Sequence, residues 1–509
     1  MRRFSNIIYA ILFLFFCQMT VFAQQKWDAI WMIGYGTPSG DSIIAHTKLD
    51  FNNDPVSISG IKQSGVNFTD GANAAICSAG GILQFYTDKC KISDWDGWPP
   101  MQGGENLAID KSDSLNCTTG GGYGHQSVLA LPWPDSADQY ILFYYGYGWV
   151  PIANALRPLK LYWARIDMRL NNGLGAVVEK HNIIVQDTMP ASYLQAVRHA
   201  NGRDWWILVP EGGGNCYYTI KMAPTGPQIM FKQCTGEAWS SMQKDSRGQA
   251  VFSPDGSTYA RMNWHYDLHV FDFDRCSGLL SNERTAAFPD HPYETGGVAI
   301  SANSRYVYVT TTIKLWQLDL QSPDLNTSKI LIDTYDGQPF PNYGVFYLSY
   351  LAPDNKIYIA GTSSHRHLHV INSPDSAGLG CDFAQHGVPI PTFNYVSLPN
   401  YPFFRLGASA SPCDSMSGVG MEPKGRAGGF VVYPNPASNA VDIAFDQAAS
   451  SGCRIEVLSM MGQLIGSQNV PDGTVAVTLP LDNYPNGYYF LRVIDAGRKI
   501  PGQKIIIIR

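Results

Sequence analysis

The run His365-Arg366-His367-Leu368-His369 carries the chemistry most directly legible in the chain. On a β-strand side chains alternate between faces, so three imidazoles at this spacing share one face. Imidazole nitrogens ligate Zn²⁺ and Cu²⁺. The outer pair, four residues apart, stands about 13 Å apart on a strand, too far for both to reach one ion at about 2 Å. Two neighbours can meet at an ion with help from another strand, and His365 and His367 are the candidate metal ligands. Leu268-His269-Val270 repeats Leu368-His369-Val370, which marks His269 and His369 as framework residues. No complete ligand set is visible in one segment. No cofactor is expected, and stability is expected to be indifferent to EDTA.

The remaining polar motifs fit turns better than catalysis. Neither Asp272 with Asp274 nor Asp94 with Asp96 completes a Ca²⁺ loop with its terminal Glu. The glycine runs at 120–124 and 212–214 lack the Lys-Ser/Thr of a phosphate loop. G-x-S-x-G and H-E-x-x-H do not occur, and no catalytic residue is assigned. Trp95, Trp98, Trp133, Tyr147, Trp149 and Trp264 lie in or beside expected loops. Exposed rings there would offer flat apolar platforms to a sugar or a protein partner, and these six are the candidate ligand-binding residues.

The elements that must position these residues repeat along the chain. The unit is a polar turn, a short apolar strand, a gap and a second strand. Its clearest turns are Ser253-Pro-Asp-Gly256, Ser301-Ala-Asn-Ser304 and Ala352-Pro-Asp-Asn355. Diverged turns begin at Ser78, Pro132 and His199. The starts lie roughly 50 to 65 residues apart, a spacing suited to propeller blades. One such sheet cannot bury both its faces, so the blades must close into a ring. The expectation is an all-β chain: a seven-bladed β-propeller over 24–410, a Ser/Gly/Pro/Met-rich linker over 411–429, and a small antiparallel β-sandwich over 430–509. The seventh blade is expected as a clasp, with 396–404 adding a strand to those near the start.

Composition supports this class. Of 509 residues, 45% are hydrophobic and only 15% charged, with 49 Gly, 32 Pro and 28 Tyr; a disordered chain shows the reverse balance. The net charge of −6 argues against a nucleic-acid partner held through phosphates. Residues 1–23 read as a signal peptide, with Arg2 and Arg3 before an apolar run and Val21-Phe22-Ala23 before the cut. That run is too short to span a membrane, and no other stretch approaches spanning length. An exported monomer is expected. Export permits disulfides. Nine cysteines follow Cys17; Cys216 and Cys234 flank a strand–turn–strand segment and form the first expected pair, and all eight before residue 420 are expected to pair, leaving Cys453 odd.

Residues 430–509 resemble the type A C-terminal sorting domain of the type IX secretion system of Bacteroidetes. The resemblance rests on Tyr433-Pro-Asn-Pro-Ala437, Val457-Leu-Ser-Met-Met-Gly462, Asn486-Gly-Tyr488 and the end from Lys504 to Arg509. It implies a sorting signal at Pro434, Asn435, Pro436, Gly487, Tyr488, Lys504 and Arg509, read by the secretion machinery, with release or attachment at the cell surface. The rest of the chain resembles the large propeller proteins often joined to such domains, through stretches such as Ile82-Leu-Gln-Phe-Tyr-Thr-Asp88, Arg198-His-Ala-Asn-Gly-Arg-Asp-Trp-Trp206 and Leu398-Pro-Asn-Tyr-Pro402. That resemblance implies a fold and a route and no reaction. The leading expectation is a secreted or surface-attached binding module for a glycan or an extracellular protein. The alternative is a polysaccharide-active hydrolase or lyase with its site at the propeller funnel. A cluster of ionisable groups in the funnel would favour the enzyme.

Overall fold

A computed structural model describes residues 25–36, 43–61, 65–69, 71–95, 97, 99–118, 120–239, 244–245, 248–263, 265, 267–288, 296–337, 345–409, 413, 430–433, 437, 439–445, 448–459, 463–485, 487–495 and 498–507. The expected signal peptide and all of the expected linker except Cys413 lie outside them. The chain divides into two compact units, 1–413 and 414–509.

In the first unit the described strands form seven antiparallel sheets, each a meander of consecutive strands. The first is Ile30–Gly34, His46–Asp50 and Ser57–Ile61. The second is Ala74–Cys77, Leu83–Thr87 and Ile92–Asp94. Five four-stranded sheets follow, with first strands Val128–Pro132, Gln195–Arg198, Gly248–Phe252, Gly297–Ile300 and Phe346–Leu351. The first strands are buried along almost their whole length, and most neighbour the first strand of the next sheet. This is a seven-bladed β-propeller, with a core of aromatic and aliphatic side chains between successive sheets.

All six turns read from the sequence join the first strand of a blade to its second. Their fourth residues all take a left-handed backbone: Gly81 φ 88°, Asp135 60°, Gly202 71°, Gly256 73°, Ser304 60° and Asn355 62°. Gly, Asn and Asp are the residues that enter that region most cheaply, and Ser304 is the departure. In two turns the same side chains hold the bend. The Ser253 hydroxyl accepts the Thr258 N–H at 3.0 Å and Asp255 accepts the Ser257 N–H at 2.9 Å. Ser301 and Asn303 repeat this on Tyr306 and Arg305 at 2.8 and 3.0 Å.

The clasp is corrected. Blade one is built from one contiguous segment, and 396–404 is not a strand. The ring closes where the long last strand, Phe383–Asn394, runs against blade one: the Phe393 N–H donates to Ile43 O at 2.8 Å, and the Thr47 and Thr392 hydroxyls bond at 2.6 Å. Residues 396–404 turn inward instead, and Pro399 and Pro402, which have no N–H for a ladder, explain why they cannot pair as a strand.

Disulfides join Cys90 to Cys117, Cys216 to Cys234 and Cys276 to Cys413. The second is the expected pair. Full pairing of the propeller cysteines is corrected, since Cys77 and Cys381 are buried free thiols. Cys77 lies inside a first strand, where a thiol packs as a small apolar residue.

The second unit is a two-sheet sandwich. Phe430–Tyr433, Ala440–Phe445 and Ala476–Pro480 make one sheet; Leu464–Asn469, Arg454–Leu458, Gly487–Asp495 and Arg498–Ile507 make the other. Its core includes Val441, Ile443, Ile455, Val457, Leu491 and Val493. In the last strand Ile505 and Ile507 are buried, as alternation along a strand requires.

Candidate functional site

The inner strands of a propeller leave backbone N–H and C=O groups facing the axis, and each needs a partner once buried. A carboxamide carries both a donor and an acceptor, so it can satisfy such a pair as a strand would. The chain uses this device repeatedly. Gln126 donates to Ala250 O and accepts from Ala250 N, both at 2.8 Å, which ties the third blade to the fifth. Gln249 accepts from Val298 N at 3.1 Å and Ser349 N at 2.9 Å and donates to Ser349 O at 2.6 Å, which ties the fifth, sixth and seventh.

Asn400 completes the network. Its side-chain NH₂ donates to Val128 O at 3.0 Å and Leu194 O at 2.9 Å. Its side-chain oxygen accepts from Gln126, Gln195 and the Tyr350 hydroxyl, each at 3.3 Å. Its backbone N–H donates to Asn73 O at 2.9 Å. Ser397, three residues earlier, accepts from Gly34 N at 3.3 Å and from the Asn73 side chain at 3.1 Å. Residues 397–400 therefore form a plug bonded directly to blades one, two, three, four and seven and through Gln126 to blade five, and Gln249 of blade five carries the tie on to blade six. Beyond it Tyr401 donates to Ile30 O at 2.8 Å, Phe404 packs edge-on against Trp27 and Trp205, and Arg405 forms a buried ion pair with Asp28 at 2.8 Å. A recess between the plug and the ends of the inner strands, lined by Asp28, Phe252, Ile300, Leu351, Tyr401 and Phe403, holds about 30 Å³, room for about two waters.

The candidate aromatics divide. Trp95 and Trp149 are 56% and 57% exposed. Trp98 and Trp264 lie outside the described residues. Trp133 and Tyr147 are corrected, because both are buried. Trp133 packs against Trp163, carries the Arg165 guanidinium 4.4 Å over its ring, and donates to Pro224 O at 3.1 Å. Tyr147 donates to Ala191 O at 3.0 Å and lies under the buried Lys89 ammonium. Two residues on, the Gln139–Val150 strand leaves the blade and turns through Pro151–Ala153, so Trp149 and Ile152, 75% exposed, stand at a hairpin tip. The helix Lys111–Asn116 packs on the same strand: Asp113 accepts the Tyr147 N–H at 3.1 Å and pairs with Lys89 at 2.7 Å. Leu115 of that helix is 62% exposed. Leu115, Trp149 and Ile152 are thus exposed apolar side chains carried by blade three and the helix packed on it.

The histidines meet in part as read. The rings of His365, His367 and His369 follow one another at 5.0 and 5.4 Å on one face of the His365–Ile371 strand. His365 Nε2 lies against Thr362 O at 2.8 Å. The partner strand brings a further imidazole to the group. Its register against His365–Ile371 shifts between Leu368 and Val370, and His386 sits in this bulge with φ 55°. A bulge re-aims a side chain, here toward His367, whose Nε2 lies 2.6 Å from His386 Nδ1. The His386 N–H donates to His369 Nδ1 at 3.1 Å. The nitrogens that converge are those of His367, His369 and His386; His369 is also buried and bonded to the His386 backbone, as a framework residue would be. His386 Nε2 faces both oxygens of Asp336 at 3.2 Å. Tyr335, Phe346 and Phe383 wall the His369 ring. Burial, with His386 and His365 beside it, pushes His367 down to about 4; burial pushes His369 well below the usual imidazole range. Both are held neutral at pH 7, with His369 Nδ1 accepting the His386 N–H and His367 Nε2 engaged with His386 Nδ1. His386 lies seventeen residues from His369, and only the register of the hairpin brings it near.

In the second unit Gly487 begins the strand that pairs with the last one, and Lys504 lies opposite Phe490 on that last strand. Tyr488 lies opposite Ile506. Pro434, Asn435, Pro436 and Arg509 lie outside the described residues.

Residues 431–508 match a family described as the secretion system C-terminal sorting domain. The tail is a type IX sorting domain. The chain that carries it is a secreted or cell-surface-attached protein. Solved structures similar to this chain include PorZ, described as an essential bacterial surface component of the type IX secretion system of Porphyromonas gingivalis, at 14% identity over 91% of this chain with a TM-score of 0.35. The chain spans 63% of that protein's length. The Myceliophteria thermophila Cps50 (Swd1) β-propeller domain is similar at 12% identity, over 63% of this chain and 88% of that one, with a TM-score of 0.35. Saccharomyces cerevisiae Sqt1 is similar at 9% identity, over 83% of this chain and 94% of that one, with a TM-score of 0.39. Among curated proteins no sequence matches. No described helix is long and apolar enough to cross a membrane.

Proposed function

We propose that the propeller is a non-catalytic binding module, exported by way of its signal peptide and sorting tail, that engages a glycan or an extracellular protein. The observation that carries this reading is the axial plug. Among the described residues, the side chains of the axial segment and those bonded to it are mostly uncharged amides and hydroxyls: Asn400, Ser397, Gln126, Gln195 and Asn73, with Tyr350. Carboxamides and a hydroxyl do not exchange protons near neutral pH, so they supply neither a general acid nor a general base. Tyr350, the titratable group in contact with Asn400, is pushed up by burial and stays a phenol.

The exposed apolar hairpin tip of blade three is the contact surface this reading favours. Trp149 offers a ring face to a sugar or an apolar side chain, and Ile152 stands at the same hairpin tip. Binding of the purified chain to immobilised surface polysaccharides and extracellular proteins tests the reading, with Trp149→Ala and Ile152→Ser combined as the variant. Both residues are exposed, so thermal stability should hold while binding weakens by an order of magnitude. Undiminished binding by the double variant would move the surface elsewhere.

A further inference from the structure

We propose that His367, His369 and His386 form a binding site for a divalent transition metal of the Zn²⁺, Ni²⁺ and Cu²⁺ class, with Asp336 as the residue that orients His386. Each histidine offers one ring nitrogen, and the three lie within 4.8 Å of one another. The all-nitrogen set suits these ions, whereas Ca²⁺ and Mg²⁺ demand oxygen ligands.

Four features distinguish the cluster from packing. The first is convergence: His386 Nδ1 and His367 Nε2 stand 2.6 Å apart and share one hydrogen. An ion bonded to each at about 2 Å takes the place of that hydrogen, which His367 carries and passes to its Nδ1 by exchange with water as the ring changes tautomer, and it holds the two nitrogens about 3.3 Å apart in a tetrahedral site, a displacement of under an ångström. The second is the backbone. His386 holds a left-handed φ of 55° in a bulge, where a glycine would cost less; such strain persists where the side chain is needed in place. The third is the carboxylate. Asp336 takes the hydrogen of His386 Nε2, which fixes the tautomer and leaves the Nδ1 lone pair facing the cluster, the arrangement that supports a metal-bound histidine. The fourth is the setting. Tyr335, Phe346 and Phe383 form an apolar wall behind His369, while His367 and His386 are partly exposed. An ion can enter from that side and keep a water in its fourth position. His369 joins by exchanging its Nδ1 bond to the His386 N–H, now 3.1 Å long, for the ion.

The test uses the full chain, stripped with a chelator and dialysed against Zn²⁺ alone, with bound metal measured per chain and Co²⁺ absorption reporting the nitrogen ligand field. His386→Gly removes the ligand and suits the left-handed backbone. His367→Ala removes the second ligand. His181→Asn alters a histidine outside the cluster. The wild type and His181→Asn should hold one chelator-competitive Zn²⁺ per chain, and His386→Gly and His367→Ala should lose it with circular dichroism unchanged. Asp336→Asn should weaken binding 10- to 100-fold. Absence of stoichiometric Zn²⁺ in the wild type, or its retention in His386→Gly, would overturn the assignment. Should either ligand variant fail to fold, Asp336→Asn decides: unchanged affinity there overturns it equally.

Discussion

Replacing Asn400 with Ala should destabilise the propeller far more than its small change in volume suggests. The side chain is 1% exposed and makes two well-formed bonds to backbone carbonyls, at 3.0 Å to Val128 and 2.9 Å to Leu194. Each such bond contributes about 1 kcal/mol net, and a buried polar group left without its partner costs about 1–3 kcal/mol. Two carbonyls lose their donor, while the three 3.3 Å contacts to the side-chain oxygen are long and add little. The expected loss is about 3–5 kcal/mol, reduced toward the lower figure if a water enters the space. Asn400→Asp should cost at least as much, because a carboxylate there faces the same two carbonyls and lacks the hydrogens to satisfy them. Reversible urea unfolding of the oxidised chain, followed by tryptophan fluorescence, measures the difference. Gln228→Ala, on an exposed strand position, serves as the control and should stay within about 0.5 kcal/mol. A loss below about 1 kcal/mol for Asn400→Ala would show that the plug is not what ties the blades together.

Three further outcomes follow from the structure. The propeller freed of its tail should titrate two thiols when denatured without reductant, Cys77 and Cys381, and none when native; eight paired cysteines would refute the observed pattern. Stability should fall on acidification below about pH 6.5, the unfolded value of histidine. Burial lowers His46 to about 3 and His367 to about 4 in the folded state, so the unfolded chain takes up protons first, and their contribution, full above pH 6.5, is lost as the pH falls toward those values. A melting temperature flat from pH 7 to pH 4.5 would contradict this. Deleting 502–509 removes Ile505 and Ile507, each fully buried and each contributing about 1.5–3 kcal/mol. That rivals the whole stability of a small domain, so the truncated chain should remain in the periplasm with its propeller folded, and export at wild-type level would contradict the role of the tail.

The turns were legible because their chemistry is local. Four residues that favour a left-handed fourth position announce a hairpin wherever they fall, and six of them placed six blades. The first blade lacks such a turn, yet its strands are apolar enough to be seen. The plug resembles a strand in sequence because Val396 and Leu398 flank Ser397 and the aromatics Tyr401, Phe403 and Phe404 follow; Pro399 and Pro402 are the contrary signal. Trp133 directly follows a strand and Tyr147 lies within a long one, and sequence does not show which rings are buried against a neighbouring element. The histidine cluster is half legible: strand periodicity puts His365, His367 and His369 on one face, but His386 enters through a bulge in a hairpin whose register no local pattern specifies. Cys77 and Cys381 defeat pairing by count, since in a large core a cysteine also serves as a small apolar residue.

The central claim is that this exported propeller binds and does not turn over its ligand. The most direct measurement exposes a panel of surface polysaccharides and extracellular proteins to the purified chain, recording retention by interferometry together with the release of new reducing ends or unsaturated sugars. The account predicts saturable retention on at least one member, weakened about tenfold by combined Trp149→Ala and Ile152→Ser, with no product released. Release of product from any polysaccharide, abolished by substituting a residue of the propeller, would contradict it.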